Sequence, residues 1–350
     1  MDDDSGDGFV ALSKHADPDA WRAAVAADVP IITQVDFDAV SPAQTGSVPS
    51  SSNSQPSIVA TMLAALDVRP GQAVLEIGTG TGWNAALLTH LVAEHGRVVT
   101  VEVDPHLARA AHAVLITAGH HPLVITGDGL SGYLPGAPYD RVISTAAVRE
   151  VVPHTWLDQL RPGGRVVTPW GTDWSNGVML TLDLNGDGVA SGRFSGDLAF
   201  MRLRSQRRAL HAWRPDHDDL QRAAISTTEC RGSDLDRMLN PAKGTFAIGA
   251  RLASCCLVVD WDKHGERHHI LELDDASTHA WAQLNADLHN PAPFVVRQIG
   301  PRPLWDEAEA AYDWWHEQGE PGLDRFGFQC QDGLQWIWLD EPGNVVRQLR

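Results

Sequence analysis

A glycine-rich turn between a buried strand and a helix constrains this chain more than any other feature. In VLEIGTGTGWNAALL, Val74–Leu88, an apolar run leads into Gly78, Gly80 and Gly82, and a helical pattern follows. Glycine permits a sharp turn and lets a ligand lie against bare amides at a helix N-terminus. The segment lacks the Lys and Ser/Thr of a triphosphate-binding loop, which favours a nucleoside cofactor over a triphosphate. A plain tight turn is the alternative.

Strands and helices alternate on both sides of this turn. From about residue 56, the apolar runs AVLEIG, RVVTVEV, PLVITGD and YDRVIST are separated by helical patterns. Continuous apolar runs are typical of buried parallel strands, so we predict a doubly wound α/β sheet. After Thr172, GVMLTLDLNGDGVASGRF predicts an antiparallel hairpin that turns at LNGDG. The segment DLAFMRLRSQ predicts one further strand.

The pattern changes beyond Gln206, where we place a domain boundary near residues 206–220. The segment from GTFAIGAR to HHILEL predicts strands with a turn at His264–Gly265. RPLWDEAEAAYDWWHEQG predicts a helix with one aromatic face. We therefore expect a partly disordered lead-in over 1–29, an α/β domain over 30–206, and an α+β extension over 207–350. The residues that share the aromatic face are Trp305, Ala308, Tyr312 and Trp315.

Charge and composition exclude several classes of partner. The chain has 350 residues, a net charge of −18 and 43% hydrophobic residues. Such acidity argues against binding nucleic acid or an anionic membrane surface, both of which require a basic face. No apolar run reaches the roughly 18 residues of a membrane span, and MDDDSGDG is unlike the start of a signal peptide. We expect a cytoplasmic protein.

We predict no metal site. The four cysteines, Cys230, Cys255, Cys256 and Cys330, form no C-x-x-C pair, and ASCCLVVDW predicts a buried strand in which cysteine acts as a small apolar residue. DLNGDG resembles the start of a calcium loop, but its twelfth position is Phe194 rather than Glu.

Acidic residues follow the next two strands. Glu102 ends RVVTVEV, 24 positions after Gly78, where a carboxylate can accept hydrogen bonds from ribose hydroxyls. Asp128 and Gly129 follow the third strand, on the side of an open α/β sheet where ligands bind. NAD and S-adenosylmethionine sites share these features, and a turn-forming Asp-Gly pair is the structural alternative.

A serine-rich run precedes the helix that leads into the first strand. In SSNSQPSIVA, Ser51–Ala60, the local chemistry predicts a helix start with Ser54 or Gln55 as the cap and Pro56 in the first turn.

Five segments together resemble the protein-L-isoaspartate O-methyltransferases over roughly Pro30 to Gln206. They are SNSQPSIVATML, VLEIGTGTGWNAALL, VVTVEVD, GDGLSGYLPGAPYDRVISTAAV and LDQLRPGGRVVTPWG. The resemblance implies a Rossmann-like sheet that binds S-adenosylmethionine and ends in an antiparallel hairpin. It also implies methyl transfer to an Asp or isoaspartate carboxylate of a peptide, which leads to a succinimide. S-Adenosylhomocysteine is the coproduct.

The same resemblance implies a role for each matching residue. Ser54 matches the active-site serine, within a substrate-facing segment made of Ser52, Asn53, Ser54 and Gln55. The residues implied to hold the methyl donor are Pro56, Ser57, Glu76, Gly78, Thr79, Gly80, Gly82, Glu102, Val103, Asp128 and Gly129. Glu102 is expected at the ribose, Asp128 and Gly129 at the adenine, and Glu76 with the glycine turn at the methionine end.

The longer layout, which continues to Arg350, resembles actinobacterial methyltransferases associated with ribosomal peptide natural products, such as lanthipeptides and ATP-grasp peptides. This resemblance favours a tailoring enzyme that acts on a cyclised precursor peptide, with the tryptophan-rich extension helping to recognise it. General repair of isoaspartyl proteins, a non-catalytic peptide-binding module and an NAD-dependent oxidoreductase are the alternatives. The tryptophans would otherwise simply fill a small core.

Overall fold

The glycine-rich turn follows the middle one of the five parallel strands in the largest sheet of a computed structural model of the chain. The structure describes residue 9 and residues 11–38, 48–208, 213–240, 242–261, 268–287 and 293–349. In these residues the helices are α1 (Pro18–Ala26), α2 (Pro56–Leu66), α3 (Trp83–Val92), α4 (Pro105–Thr117), α5 (His154–Asp158), α6 (His217–Gln221), α7 (Gly232–Leu239), α8 (Thr245–Arg251) and α9 (Leu304–Glu317).

The strands fall into three sheets. A two-stranded hairpin contains β1 (Ile31–Val35) and β2 (Pro49–Asn53). The first part of the large sheet contains β3 (Ala73–Ile77), β4 (Arg97–Glu102), β5 (Leu123–Thr126), β6 (Tyr139–Ser144), β7 (Val148–Arg149), β8 (Leu160–Gly171), β9 (Asn176–Leu184) and β10 (Ala190–Ser195). A five-stranded sheet contains β11 (Ala224–Thr228), β12 (Cys256–Trp261), β13 (His268–Asp275), β14 (Ala280–Asp287) and β15 (Phe294–Ile299). The chain then adds β16 (Phe326–Gln331), β17 (Leu334–Leu339) and β18 (Val345–Leu349) to the large sheet.

The predicted doubly wound α/β sheet is confirmed. Strands β5, β4, β3, β6 and β8 lie side by side in parallel, in that spatial order. All five residues of β3 are buried, as its continuous apolar pattern predicts. The predicted hairpin is also confirmed, since β9 pairs antiparallel with both β8 and β10. This order brings the carboxyl ends of the parallel strands to one edge of the sheet.

The last three strands extend the same sheet. Strand β16 pairs antiparallel with β10, and β17 and β18 continue the order outwards. An aromatic cluster joins the two parts of the chain, with ring centroids of Trp170 and Phe194 4.9 Å apart, of Phe194 and Phe246 4.8 Å apart, and of Phe246 and Phe326 5.2 Å apart. The boundary near residues 206–220 stays a prediction, and both strand pairing and core packing cross it.

Helix α9 packs against the five-stranded sheet through the predicted face. Trp305, Ala308, Tyr312 and Trp315 are all buried, and Leu304 and Ala311 are buried with them. Cys255, the residue immediately before β12, is buried, and so are Cys230 and Cys330. Among the described residues, no cluster of His, Cys, Asp or Glu could hold a metal ion.

Two predicted elements are wrong. The segment DLAFMRLRSQ forms no strand, because its only described pairing is an isolated bridge between Ala147 and Arg202. It instead crosses the ends of the parallel strands. The segment TFAIGAR is helix α8 rather than a strand, and six of its seven residues are buried; a short apolar run buried on all sides carries no periodicity that distinguishes helix from strand. The turn predicted at His264–Gly265 and the extreme lead-in, 1–8, lie outside the described residues.

No helix in the described ranges is long and apolar enough to span a bilayer. A cytoplasmic location stays a prediction.

Candidate active site

A cleft with an empty volume of about 970 Å³ opens at the carboxyl ends of β3, β4 and β6. The cleft brings together residues that the sequence analysis selected from four separate segments. Those that line it are Ser52, Asn53, Ser54, Gly78, Thr79, Gly80, Glu102, Val103, Asp128 and Gly129.

The glycine turn forms the floor of the cleft. Gly78 follows β3 with φ +94°, a conformation that L side chains rarely adopt. A Cβ placed there would lie only 2.7 Å from Thr145 Oγ1. Thr145 itself donates from Oγ1 to Gly78 O at 2.6 Å, which locks the turn against the end of β6. Gly82, with φ +83°, is the N-cap of α3 and lies behind the cleft lining.

Glu102 at the end of β4 is held by backbone amides. Gly80 N donates to Glu102 Oε2 at 2.9 Å, and Asp104 N donates to Glu102 Oε1 at 3.1 Å. These two contacts fix the carboxylate beside the glycine turn. A carboxylate has about four lone-pair sites, so Glu102 keeps the capacity to accept hydrogen bonds from two vicinal hydroxyls.

Asp128 and Gly129 begin a short 3₁₀ turn after β5. Asp128 Oδ1 accepts from Leu130 N at 3.0 Å and from Ser205 Oγ at 3.3 Å. Gly129 O accepts from Trp156 Nε1 at 2.7 Å. A Cβ at Gly129 would lie 2.4 Å from Ile77 Cγ2, so only glycine lets this turn approach β3. The pair is therefore a turn, and it also lines the cleft.

Glu76 lies beneath the cleft and is fully buried. Asn84 Nδ2 donates to its Oε1 at 2.7 Å, while Oε2 has no hydrogen-bond partner within the described part of the chain. Burial, together with the nearby charge of Glu102, raises the pKa of Glu76 to about 7. A buried acceptor without a partner is costly, and an ammonium group supplied by a ligand would satisfy it.

The serine-rich run crosses directly over the glycine turn. Residues Ser51–Asn53 belong to β2, and Thr81 Oγ1 donates to Asn53 Oδ1 at 3.0 Å. A Cβ at Gly80 would lie 3.7 Å from Ser52 O. Ser54, the next residue after β2, lines the cleft and is partly exposed. Ser54 is therefore part of the cleft wall that continues from the strand over the glycine turn.

The helix start after Ser54 lies outside the cleft lining. Gln55 is the N-cap of α2 and Pro56 its first residue, as predicted, but no side-chain cap bond is made by Gln55. Asp28 performs that role, because its Oδ1 accepts from Ser57 N at 2.8 Å and its Oδ2 from Gln55 Nε2 at 3.2 Å. These bonds lower the pKa of Asp28. Pro56 and Ser57 are exposed, so the structure leaves both beside the cleft rather than in it.

Several residues in the cleft wall were not predicted. They include Trp83, Thr145, Arg202 and Arg204, and the side chain of Trp83 is 53% exposed. The arginines belong to RLRSQRR, which has four arginines within seven residues of an otherwise acidic chain. That local excess of positive charge is the sequence feature from which the cleft arginines could have been predicted.

A hydrogen-bond network fastens the β1–β2 hairpin to the cleft. Asp104 Oδ2 accepts from Gln34 Nε2 at 3.2 Å and from Arg204 Nη2 at 3.1 Å. Gln34 Oε1 accepts from Ser50 Oγ at 2.8 Å. Burial opposes the charge of Asp104, but these bonds and one from His106 N hold the pKa of its carboxyl at about 2. The strand that bears the serines is therefore tied to the end of β4.

Comparison with known proteins places these residues in one family. Residues 37–208 match the family described as protein-L-isoaspartate(D-aspartate) O-methyltransferase. A protein-L-isoaspartate O-methyltransferase of Pyrococcus horikoshii is 39% identical over 162 residues, which cover 46% of this chain and 70% of the relative. Protein-L-isoaspartate O-methyltransferase 2 of Archaeoglobus fulgidus is 37% identical over 156 residues, which cover 44% of this chain and 69% of the relative. A Methanopyrus kandleri relative is 43% identical over 43% of this chain, and the match covers 66% of its own length, just under two thirds.

A solved structure titled protein-L-isoaspartate O-methyltransferase shares the fold over a longer span. It aligns with a TM-score of 0.51 over 96% of this chain and 92% of its own, at 19% identity. At that identity the likeness shows the fold alone. The alignment nevertheless includes most of the C-terminal region.

Proposed function

This chain belongs to the protein-L-isoaspartate O-methyltransferase family, a family of S-adenosylmethionine-dependent enzymes, and from that premise we propose that it methylates an Asp or isoaspartate carboxylate in a peptide. The observation that carries the proposal is the crossing of β2 over the glycine turn. It puts the hydroxyl-bearing segment Ser52–Ser54 and the residues Gly78, Glu102 and Asp128 in one cleft.

The described residues fit the methyl donor. Glu76 Oε2 is a buried acceptor without a partner, suited to the ammonium of the methionine end. The glycine turn leaves bare backbone, and Glu102 retains capacity for the ribose hydroxyls. When bound, S-adenosylmethionine supplies an electrophilic methyl group on a sulfonium.

The chain's own task is to position the peptide. A carboxyl group with an ordinary pKa of about 3.9 is already ionised at neutral pH, so no strong base is needed. The ionised carboxylate oxygen would take the methyl group as the carbon–sulfur bond of the donor breaks, so that a neutral thioether would leave. Ser54 would orient the carboxylate through a hydroxyl hydrogen bond, and the β1–β2 hairpin would exclude water from the reacting atoms.

Within this activity, we propose the narrower role of a tailoring enzyme for a ribosomal peptide, acting in the cytoplasm on a cyclised precursor. The fold of the long C-terminal region is shared with the solved structure titled protein-L-isoaspartate O-methyltransferase. The presence of this region therefore does not by itself define the substrate. The supporting features are the serine-rich strand and the arginines that line the cleft. General repair of isoaspartyl proteins is the broader alternative.

Mass spectrometry of three peptides tests both levels of the proposal. A generic isoaspartyl peptide, its L-Asp counterpart and a cyclised Asp-containing peptide are each incubated with enzyme and S-adenosylmethionine. Addition of one methyl group to any of them supports carboxyl methylation. Methylation of the cyclised peptide alone, followed by loss of methanol, supports the tailoring role, whereas efficient methylation of the generic isoaspartyl peptide contradicts it. No methylation despite donor binding would favour a non-catalytic peptide-binding module.

A further inference from the structure

Three of the four arginines in Arg202–Arg208 have partners on the protein. Arg204 pairs with Asp104 at 3.1 Å and lies 4.8 Å from the Phe37 ring centroid. Arg207 lies over the same ring at 4.9 Å. Arg208 pairs with Asp173 at 3.1 Å. Arg202, by contrast, makes no ion pair or cation–π contact with any described residue, and its guanidinium donates to a backbone carbonyl.

Arg202 lines the cleft with a guanidinium that is only half satisfied. Its Nη2 donates to Thr172 O, the carbonyl that follows β8. Its Nη1 is buried and has no hydrogen-bond partner among the described residues. Burial lowers the pKa of Arg202, and the charge of Arg149 lowers it further. A buried cation with an unused donor is destabilising unless an anion meets it.

Each of the two nearby carboxylates lies in an ion pair with another arginine, although Glu150 Oε1 makes no hydrogen bond with any described residue. Asp173 accepts from Arg149 through both oxygens, at 2.6 and 2.5 Å, and also pairs with Arg208. Glu150 lies 3.2 Å from Arg347. Two carboxylates therefore face four guanidinium groups around the Thr172 corner. The local surplus of positive charge contrasts with the net charge of −18 for the whole chain.

This corner lies at the opposite end of the cleft from the expected nucleoside site. Asp128 follows β5 and Glu102 ends β4, whereas Thr145 follows β6 and Thr172 follows β8. The spatial order β5, β4, β3, β6, β8 places Arg202 beyond Thr145. The residues proposed to hold the donor lie towards the other end of the cleft, so we assign this end to the peptide.

We propose that Arg202 binds a carboxylate of the peptide substrate. This inference rests on the proposed function and names its substrate class, a peptide that presents an acidic group to the β6–β8 end of the cleft. The carboxylate is either the one that becomes methylated or that of a flanking acidic residue. Arg presents two parallel N–H donors to a carboxylate, and such charge-assisted bonds are strong in a desolvated site.

Equilibrium peptide binding in the presence of S-adenosylhomocysteine tests the proposal without requiring turnover. Fluorescence anisotropy would compare wild type, Arg202→Gln, Arg202→Lys and the control Arg222→Gln. Arg222 is an exposed arginine paired with Asp219 beside α6, so its loss changes the net charge equally. We expect peptide affinity to fall about 10-fold or more in Arg202→Gln, to recover partly in Arg202→Lys, and to match wild type in Arg222→Gln.

Peptide variants distinguish the source of the carboxylate and keep the test valid if Arg202→Gln folds poorly. One peptide carries a single Asp or isoaspartate, and a second adds a flanking Glu or, as its control, Gln. If Arg202→Gln loses affinity equally for every peptide, Arg202 binds the carboxylate that becomes methylated. A loss confined to the Glu peptide, together with weaker binding of the Gln peptide to wild type, assigns it to the flanking residue.

Two results would overturn the inference. One is unchanged peptide affinity in both Arg202 variants. The other is weakened binding of S-adenosylhomocysteine with peptide affinity intact. That result would mean that the Arg202 guanidinium binds the carboxylate of the donor rather than that of the peptide. Since binding is measured apart from methylation, peptide binding that depends on Arg202 without any turnover would refute the proposed function alone.

Discussion

The two ends of the cleft are built in different ways. At the end that we propose holds the methyl donor, here called the donor end, Gly78 follows β3 directly, Glu102 ends β4 and Asp128 lies two residues beyond β5. Hydrogen bonds from backbone amides fix both carboxylates.

At the end that we propose meets the peptide, here called the acceptor end, Arg202 comes from the segment that crosses the strand ends and is held by the Thr172 carbonyl. Asp173, in the turn after β8, is held by Arg149 and Arg208. The donor end is therefore a product of local chain geometry, and the acceptor end depends on long-range packing.

This difference predicts different responses to mutation. Backbone geometry leaves little room for adjustment, so substitutions in the glycine turn should have steep, steric effects. Charged side chains can be replaced gradually, so substitutions of charged groups at either end should have graded effects that depend on pH or salt.

The largest effect is expected at Gly78. Gly78→Ala puts a Cβ 2.7 Å from Thr145 Oγ1 at a φ of +94°, so the turn must shift. We expect affinity for S-adenosylhomocysteine, measured by calorimetry, to fall by about 100-fold, which corresponds to about 2.7 kcal/mol.

Gly71→Ala is the matched control. Gly71 has φ +83°, but a Cβ there meets nothing within 4 Å. It should cost about 1 kcal/mol of folding stability and leave ligand affinity unchanged. Equal losses of ligand affinity in both variants would show that general strain, rather than the shape of the turn, accounts for the result.

Ser54→Ala should have the next largest effect. If its hydroxyl orients the carboxylate, the loss is about 1–2 kcal/mol of transition-state stabilisation, or roughly 5- to 30-fold in kcat/KM. Affinity for S-adenosylhomocysteine should not change. Steady-state kinetics with a methyl-accepting peptide would measure the effect, with Ser195→Ala, an exposed position of β10, as the control. Full activity in Ser54→Ala would show that the Ser54 hydroxyl does not orient the carboxylate.

The same contrast explains which parts of the molecule could be predicted from sequence. The parallel strands, the β9–β10 hairpin and the buried face of α9 follow from periodicity and turn residues that are local in the chain. The pairing of β16 with β10 joins residues more than a hundred positions apart, and no local pattern encodes it. Helix α8 is buried on nearly every side, so its composition fits a strand equally well.

Prediction of the site divided in the same way. The cleft-lining residues at the ends of β3, β4 and β5 could be selected from the sequence because each strand end carries a recognisable glycine or carboxylate. Arg202 was missed because its importance depends on burial, on an unpaired Nη1 and on the carboxylates around it. The excess of arginine in RLRSQRR was visible, but its position in the cleft was not.

A pH-dependent effect is expected at Glu76. Burial raises the pKa of this carboxyl to about 7, so in the ligand-free fold it is largely protonated below neutrality. Only the ionised form pairs with an ammonium. Affinity for S-adenosylhomocysteine, whose ammonium keeps its proton up to about pH 8, should therefore weaken by roughly 10-fold from pH 8 to pH 6. Glu76→Gln should bind more weakly throughout and lose this pH dependence.

Stability should follow the opposite trend at Glu76. Because its pKa in the folded state exceeds the value of 4.5 for an unperturbed carboxyl, the group stabilises the ligand-free fold below about pH 4.5, and this contribution is lost as the pH rises through about 7. Glu76→Gln should remove that part of the pH dependence of the unfolding free energy. Identical pH profiles for wild type and Glu76→Gln would contradict both expectations.

The smallest effect is expected where the hairpin is tied to the cleft. Asp104 caps α4 through His106 N at 2.8 Å and also pairs with Arg204. Asp104→Asn keeps a good cap but removes the charge that Arg204 meets. We expect a loss of about 1 kcal/mol in unfolding free energy and a few-fold rise in the KM for peptide, because β2 is held less firmly over the glycine turn. Asp17→Asn, at the N-cap of α1, makes the same chemical change away from the cleft and should leave KM unaltered. If the two variants have the same effect on KM, the Asp104–Arg204 pair does not position the β1–β2 hairpin, and backbone contacts alone hold it over the glycine turn.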